Sequence, residues 1–364
     1  MTSAPTFAPR HNHPLAPLTS LAVGGPARYF ARLLSEQAVP EALAWADARD
    51  EPVTLLGGGS NVVVADGGVE GLVLTLGLNA EAHQREGDAV HVTVGAGVAW
   101  DSFVERTVER GWAGLECLSG IPGLVGATPI QNVGAYGQEV GDTLLEVHAF
   151  DRGGGGRVVL PRSECGFGYR TSRFKQADAG RFIVLGATFR LRIGGGACLA
   201  YPEIARRFTP DAGPPSLAEV RGAVLATRKA KSMLLDPSDE NGRSCGSFFL
   251  NPRLSSAEFD RLRARSANAP PSFPDADGRF KVPAAWLIEA AGFQRGQRWG
   301  SVGISSRHSL ALVCHPGATA AAVVEAAHCV RDGVAHAFGV WLRPEPIFLG
   351  FGELDDGMPA LSSV

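Results

Sequence analysis

The residues of this chain that can do chemistry fall in five short stretches. The run Gly57-Gly58-Gly59-Ser60-Asn61 lies between two strand-like pieces. Backbone N–H groups can approach an anion closely there, because no Cβ blocks the contact and positive φ costs little. It is a candidate diphosphate cradle, although a plain glycine hairpin has the same pattern. No Gly-Lys-Ser/Thr follows, so it is not a Walker loop, and a strand follows where the Rossmann fingerprint needs a helix. The stretch from Cys117 to Gln138 carries no charged residue and holds Gly120, Pro122, Gly123, Gly126, Thr128, Gln131, Asn132, Gly134 and Ala135. Ordered loops of that length are usually functional. Its bare amides with Thr128, Gln131 and Asn132 suit a neutral heterocycle and a diphosphate, and a buried turn-rich linker is the alternative.

Three single side chains complete the set. Arg170, in Gly168-Tyr169-Arg170-Thr171-Ser172-Arg173, offers a forked guanidinium to an anion, though most arginines are solvated surface residues. Ser247 stands at the mouth of an apolar run, after Cys245-Gly246 and before Phe248-Phe249-Leu250. It lacks the GxSxG frame of a hydrolase nucleophile, so a nucleophile is not expected, and a hydrogen-bonded core serine fits as well. Glu345 sits between Pro344 and Pro346, where two rigid neighbours fix a carboxylate or where it is simply a strand-edge charge.

These stretches need elements to position them. The chain has 364 residues, 45% hydrophobic, with 34 Lys+Arg against 37 Asp+Glu for a net charge of −3. That is enough for two or three domains, excludes a disordered or fibrous chain and gives no basic surface for nucleic acid. Only four positive residues are Lys, at 175, 229, 231 and 281, so any anion site leans on Arg. Six scattered cysteines without a metal-like spacing predict reduced, buried thiols in a cytoplasmic protein and no metal. The uncharged stretch is broken by too many Gly and Pro to span a membrane, and residues 1–17 have no apolar core of signal-peptide length, so export is not expected.

Hydrophobic spacing predicts helices over 35–49 and 100–110, with strands over 53–56, 62–64, 69–76, 91–94, 145–150, 157–160 and 182–192. Pro210, Pro214 and Pro215 mark a connection, and Ser216 with Glu219 forms a capping box that opens a helix. Beyond it the pattern predicts a strand at 247–250, helices from 255, over 283–291 and over 319–338, and strands at 310–314 and 347–349. The expected organisation is a flexible start over 1–17, a first region over 18–200 in two parts (about 18–77 and 78–200), a connecting loop and helix over 201–230, an α/β domain over 231–340 and a returning strand and tail over 341–364.

Taken together and in order, these stretches closely resemble the UDP-N-acetylenolpyruvoylglucosamine reductase (MurB) family, in its longer type with a tyrosine loop. The resemblance covers about residues 19–350. It implies an α+β fold: a two-subdomain FAD-binding unit of the vanillyl-alcohol-oxidase type plus an α/β substrate-binding domain. It implies FAD held non-covalently by the residues of the two glycine-rich stretches, NADPH as reductant, and reduction of UDP-N-acetylglucosamine enolpyruvate to UDP-N-acetylmuramate for peptidoglycan. In that family scheme hydride passes from reduced FAD to C3, Ser247 gives a proton to C2, and Arg170 and Glu345 stand beside the substrate carboxylate. Tyr201 falls on the substrate-covering loop, and Lys231, Asn251 and His308 fall where family members contact the nucleotide sugar. The resemblance further implies a cytoplasmic monomer with no nucleic-acid or membrane partner.

The chemistry agrees with these residue types. Negative charge left at C2 and its carboxylate suits a guanidinium, and removing one such donor commonly costs about 3 kcal/mol. A serine hydroxyl is a weak acid that can protonate only a strongly basic carbanion held in contact. Glu345, if ionised, would repel that charge, so it is expected neutral or acting through Arg170 or a water. The alternatives are an oxidase on the same scaffold with covalently tethered flavin, for which the Gly57–Asn61 neighbourhood offers no His or Cys, and a non-catalytic flavin or nucleotide-sugar sensor, which would not need Ser247, Arg170 and Glu345 together.

Overall fold

Apolar residues run almost unbroken along Phe182–Ile193, and this strand is the middle of an antiparallel sheet. In the computed structural model, which describes residues 7–209, 213–275, 277–355 and 357–359, it pairs with Leu144–Asp151 on one side and Ala89–Gly95 on the other. Those strands pair outward to Gly156–Pro161 and Glu81–Glu86. The helix Trp100–Glu109 buries Trp100, Phe103, Val104, Thr107 and Val108, and the apolar members of that helical face share a core with Val92, Val94 and Phe189. In a smaller sheet Val53–Leu55 runs parallel to Val69–Leu76. There the helix Ala38–Asp47 sets Val39, Ala42 and Ala46 on Leu72 and Leu74.

Two compact units result, and neither is one stretch of chain. The first takes the described residues up to 11, with 29–58 and 71–230; the second takes 12–28, 59–70 and 231 onward. Residues 18–28 and 59–70, expected inside the FAD-binding region, thus group with the later chain. The cause is local. Val62–Val64 pairs in parallel with Ile347–Leu349, and Leu21, Val23 and Val63 are buried in one cluster with Phe248, Phe249 and Leu342. The second unit also holds an antiparallel sheet of Arg298–Trp299, Val302–Ile304 and Leu312–Cys314, beside the helices Ser256–Arg265, Ala284–Ala290 and Ala320–Phe338. The predicted capping box of Ser216 with Glu219 forms, and Ser255 forms another with Glu258 at the start of the helix expected from 255.

Some expectations are corrected. The start is not loose throughout: Arg10–Pro14 is a strand and Ala16–Leu18 a 3-10 turn. Pro14 ends the strand and Pro17 lies in the first turn, where a missing N–H is tolerated. Residues 1–6 of that expectation, Pro210 in the connection, and residues 356 and 360–364 of the tail lie outside the described residues. The strand expected at 247–250 does not form a ladder. Phe248 N donates to Leu310 O and Leu250 N to Arg343 O, with one bridge between Phe249 and Pro344. Gly246 at φ +75° and the prolines at 344 and 346, which have no N–H, stop pairing from spreading. Among the described residues no helix is long and apolar enough to cross a membrane.

The segment 59–70 also ends a helix. Asp66 accepts from the N–H groups of Ala320 and Ala321 at 2.8 and 2.9 Å, while Thr319 Oγ1 accepts from Ala322 N. Three of the four orphan donors of the longest helix are thereby satisfied, with a carboxylate at the positive end of its dipole. Asp66→Ala is expected to cost about 1–2 kcal/mol. Thermal unfolding followed by circular dichroism should show the midpoint falling by roughly 2–4 °C per kcal/mol.

Candidate active site

In the first unit the two glycine-rich stretches meet backbone to backbone. A Cβ on Gly58 would lie 2.6 Å from Gly123 Cα, and one on Gly57 would lie 3.2 Å from the Ala127 methyl. Only glycine at 58 allows this approach. Gly59 has φ +65°, and a Cβ there would lie 1.8 Å from Leu18 O, a contact made within the second unit. Among the described residues nothing accepts from the N–H groups of Gly57, Gly58 and Gly59. Consecutive unclaimed amides on a close-packed glycine turn are the donor set an anionic diphosphate needs, so the residues present fit FAD.

The stretch from 117 to 138 is ordered through short 3-10 turns, and its polar side chains mostly hold the stretch itself. Thr128 Oγ1 donates to Val125 O. Asn132 is buried, and its amide donates to Glu139 Oε2 and Gly168 O while its carbonyl accepts from Gly141 N. Expected as a cofactor contact, Asn132 therefore works with its side chain as a brace. Arg170 is brought to this stretch as well. Its Nη2 donates to Gly134 O, and Ser172 Oγ donates to Ile130 O. Arg170 itself is at φ +51°, in the left-handed region that non-glycine residues rarely adopt. Gln131 is half-buried. Tyr201 is 40% exposed and packs edge-on against Tyr136 with ring centroids 5.4 Å apart.

A charge network centred on the buried Arg221 and Arg228 supports the Gly120 end, and its members are absent from the expected site. Asp101 Oδ1 accepts from Gly120 N and from Arg221 Nη1, and Arg221 Nη2 donates to Asp101 Oδ2 and Glu105. Arg228, also buried, donates from Nε to Gly120 O and hydrogen-bonds the Tyr136 hydroxyl. Burial pushes the Asp101 carboxyl up, but the Arg221 and Gly120 hydrogen bonds, with the charges of Arg221 and Arg228, outweigh it and hold the carboxyl below its ordinary value. The signal was present: Arg221 and Arg228 stand seven apart on the helix Leu217–Ala230, next to its apolar face.

In the second unit Glu345 is fixed by its backbone. Glu345 N donates to Phe248 O, so the carboxylate residue and the segment beginning at Ser247 are brought together. Ser247 and Glu345 are each half-buried. Glu345 also lies within electrostatic reach of Cys245. That thiol is buried, and burial first, then Cys314 and Glu345, push its pKa far up. Burial and a raised pKa both disfavour the reactive thiolate at Cys245. Cys198 is half-buried and Cys329 exposed, against the expectation that all six are buried. Asn251 Oδ1 accepts from Ala284 N and starts the helix Ala284–Ala290. His308 is half-buried with its carbonyl accepting from Ala311 N, and Lys231, half-buried, opens the second unit's long stretch.

An ordered glycine turn with unclaimed amides suits the diphosphate of a bound nucleotide, and the family matches make the protein a flavoprotein. Residues 27–160 match the family described as FAD binding domain, and residues 236–349 match the one described as UDP-N-acetylenolpyruvoylglucosamine reductase, C-terminal domain. The chain is 47% identical to the UDP-N-acetylenolpyruvoylglucosamine reductase of Thermobifida fusca over 93% of its length and 97% of that protein's. It is 44% identical to the reductase of Streptomyces coelicolor over 93% of this chain and 90% of that one. The crystal structure of the Thermus caldophilus reductase superposes with a TM-score of 0.65 at 25% identity, covering 94% of this chain and all of that one. The chain belongs to the UDP-N-acetylenolpyruvoylglucosamine reductase family.

The Asp101–Arg221 pair makes stability depend on pH with a definite sign. A carboxyl held below its ordinary value of 3.8 contributes stability that is present above that pH and is lost as pH falls through the lowered value. Arg221→Ala should destabilise the protein at pH 7 by about 1 kcal/mol, a figure discounted because the carboxylate is partly exposed. Urea unfolding at a series of pH values should show the gap between variant and parent closing below pH about 4.

Proposed function

We propose that the protein catalyses the NADPH-dependent reduction of UDP-N-acetylglucosamine enolpyruvate to UDP-N-acetylmuramate, a step in peptidoglycan precursor synthesis. The observation that carries this is the near-full-length likeness to reductases of that name, in a chain that keeps Ser247, Arg170 and Glu345. FAD, when bound, would supply the redox chemistry that links NADPH oxidation to reduction of the enol ether. The amides of Gly57, Gly58, Gly59 and the neighbouring Ser60 and Asn61, with the 120–135 stretch, hold that cofactor without a covalent bond.

The rest falls to the chain's own side chains. Once C3 has received hydride, charge resides at C2 and the adjoining carboxylate. Arg170 stabilises it, being a planar, permanently charged donor set on a stiff turn. The Ser247 hydroxyl gives the proton to C2. Glu345 stands at the substrate carboxylate, either neutral or acting through Arg170 or a water. Tyr201, Lys231, Asn251 and His308 contact the nucleotide sugar. The same reading makes the enzyme a cytoplasmic monomer that uses neither nucleic acid nor membrane.

The purified protein should be yellow. Under anaerobic conditions NADPH should bleach its flavin absorbance and UDP-N-acetylglucosamine enolpyruvate should restore it. Ser247→Ala should leave the bleaching step nearly intact and slow restoration by about a hundredfold or more. A colourless protein that cannot take up FAD would refute the proposal, and equal loss in both half-reactions would refute the role of Ser247.

A further inference from the structure

The strand Ile347–Leu349 has a gap in its hydrogen bonding just before it begins. Pro346 has no N–H, so the chain cannot donate at that position, and the residue before a proline favours extended backbone. Glu345 occupies that place. Its N–H is bonded to Phe248 O, on the pairing that leads back to Ser247. On the far side of the proline, Ile347 N donates to Asn61 O and the parallel ladder with Val62–Val64 begins. Between these two pairings the Asn61 side chain bridges the gap: its Nδ2 donates to Glu345 O at 3.2 Å. One asparagine thus grips residues 345 and 347 on either side of Pro346, with its side chain on the first and its carbonyl on the second.

We infer that Asn61 is a positioning residue for the reaction: its side-chain amide sets the backbone of Glu345, and through it the carboxyl, relative to the segment that carries Ser247. The inference rests on the proposed role of Glu345 and goes beyond it. The bond is suited to this task in three ways. It acts at the one main-chain carbonyl next to a position where the ladder has no donor. It is neutral, so it fixes the acid residue without adding charge beside it. It is also local, since Asn61, Phe248 and Glu345 belong to one compact unit with a common core at Val63, Phe248, Leu342 and Phe348.

The test separates this role from a cofactor contact at the same residue. Asn61→Ala and Asn61→Asp, which both lack the donor, are compared with Glu345→Gln and with the double variant Asn61→Ala/Glu345→Gln, each saturated with FAD. Flavin bleaching by NADPH and its restoration by UDP-N-acetylglucosamine enolpyruvate are timed separately by anaerobic stopped flow. Asn61→Ala is expected to slow restoration roughly five- to tenfold, the worth of one hydrogen bond, and to slow bleaching by a clearly smaller factor, since Asn61 also belongs to the cofactor cradle. In the double variant the Asn61 effect should vanish on top of that of Glu345→Gln, because both act through one group. If Asn61→Ala and Asn61→Asp restore at the parental rate once FAD is saturating, Asn61 is a cofactor contact only and the inference falls. The same holds if the two effects multiply in the double variant. If Glu345→Gln itself restores at the parental rate, the role of Glu345 fails first and takes the inference with it, a result told apart by that single variant.

Discussion

Close approach of bare backbone at Gly58 and Gly59 is the constraint on which the rest depends. A single methyl group at 58 would meet Gly123 Cα at 2.6 Å, and one at 59 would meet Leu18 O at 1.8 Å. Neither neighbour is a side chain that can swing aside. Neither position has spare volume, and each is held by packing within its own unit. That is how an anion site can be made without the lysine of a phosphate loop: the donors are fixed in advance, and preorganised dipoles need no reorganisation when the charge arrives. A chain with only four lysines and an arginine-centred support around Gly120 is consistent with that solution.

Two segments, one in each unit, are braced by different physics. Around Gly120 the brace is ionic, with Asp101 between Arg221 and a peptide N–H and with Arg228 buried on the turn's carbonyl. Around Glu345 it is neutral, a peptide N–H to Phe248 and an amide from Asn61. The difference follows from what each brace holds. A turn that displays amides to a diphosphate tolerates charges behind it. A brace of neutral groups holds a carboxyl without itself biasing the protonation.

Periodicity and punctuation carried much of the fold into the sequence. Trp100, Phe103, Val104 and Val108 announced their helix, Ser216 with Glu219 the start of another, and the apolar pattern over 319–338 the longest one. What stayed hidden had weak periodicity. Glu81–Glu86 is almost wholly exposed and polar, an edge strand with no apolar face to alternate. Pro26–Leu33 begins with a proline, which argues against a strand unless it is the first residue. The grouping of 59–70 with the chain beyond 231 was illegible for a different reason: three valines and an aspartate do not name partners nearly three hundred positions away. The glycine turns, Arg170, Ser247 and Glu345 were legible as residue types in order, whereas Arg221, Arg228 and Asp101 looked like ordinary surface charges on amphipathic helices.

The placement of Cys245 bears on why a serine, a weak acid, is the fitting donor. A thiol is intrinsically far more acidic than a hydroxyl, and one stands only two residues away. In a regular strand positions 245 and 247 would share a face, and the stronger acid would compete for the carbanion. Gly246, at φ +75°, breaks that alternation. Cys245 turns into the core with Phe248 and Phe249, where burial raises its pKa and removes it from contact, while Ser247 stays half-buried. A donor that loses its proton reluctantly also holds it while the substrate binds and gives it up only to the strongly basic centre that hydride addition creates. The left-handed glycine is thus as much a part of the proposed acid chemistry as the hydroxyl beside it.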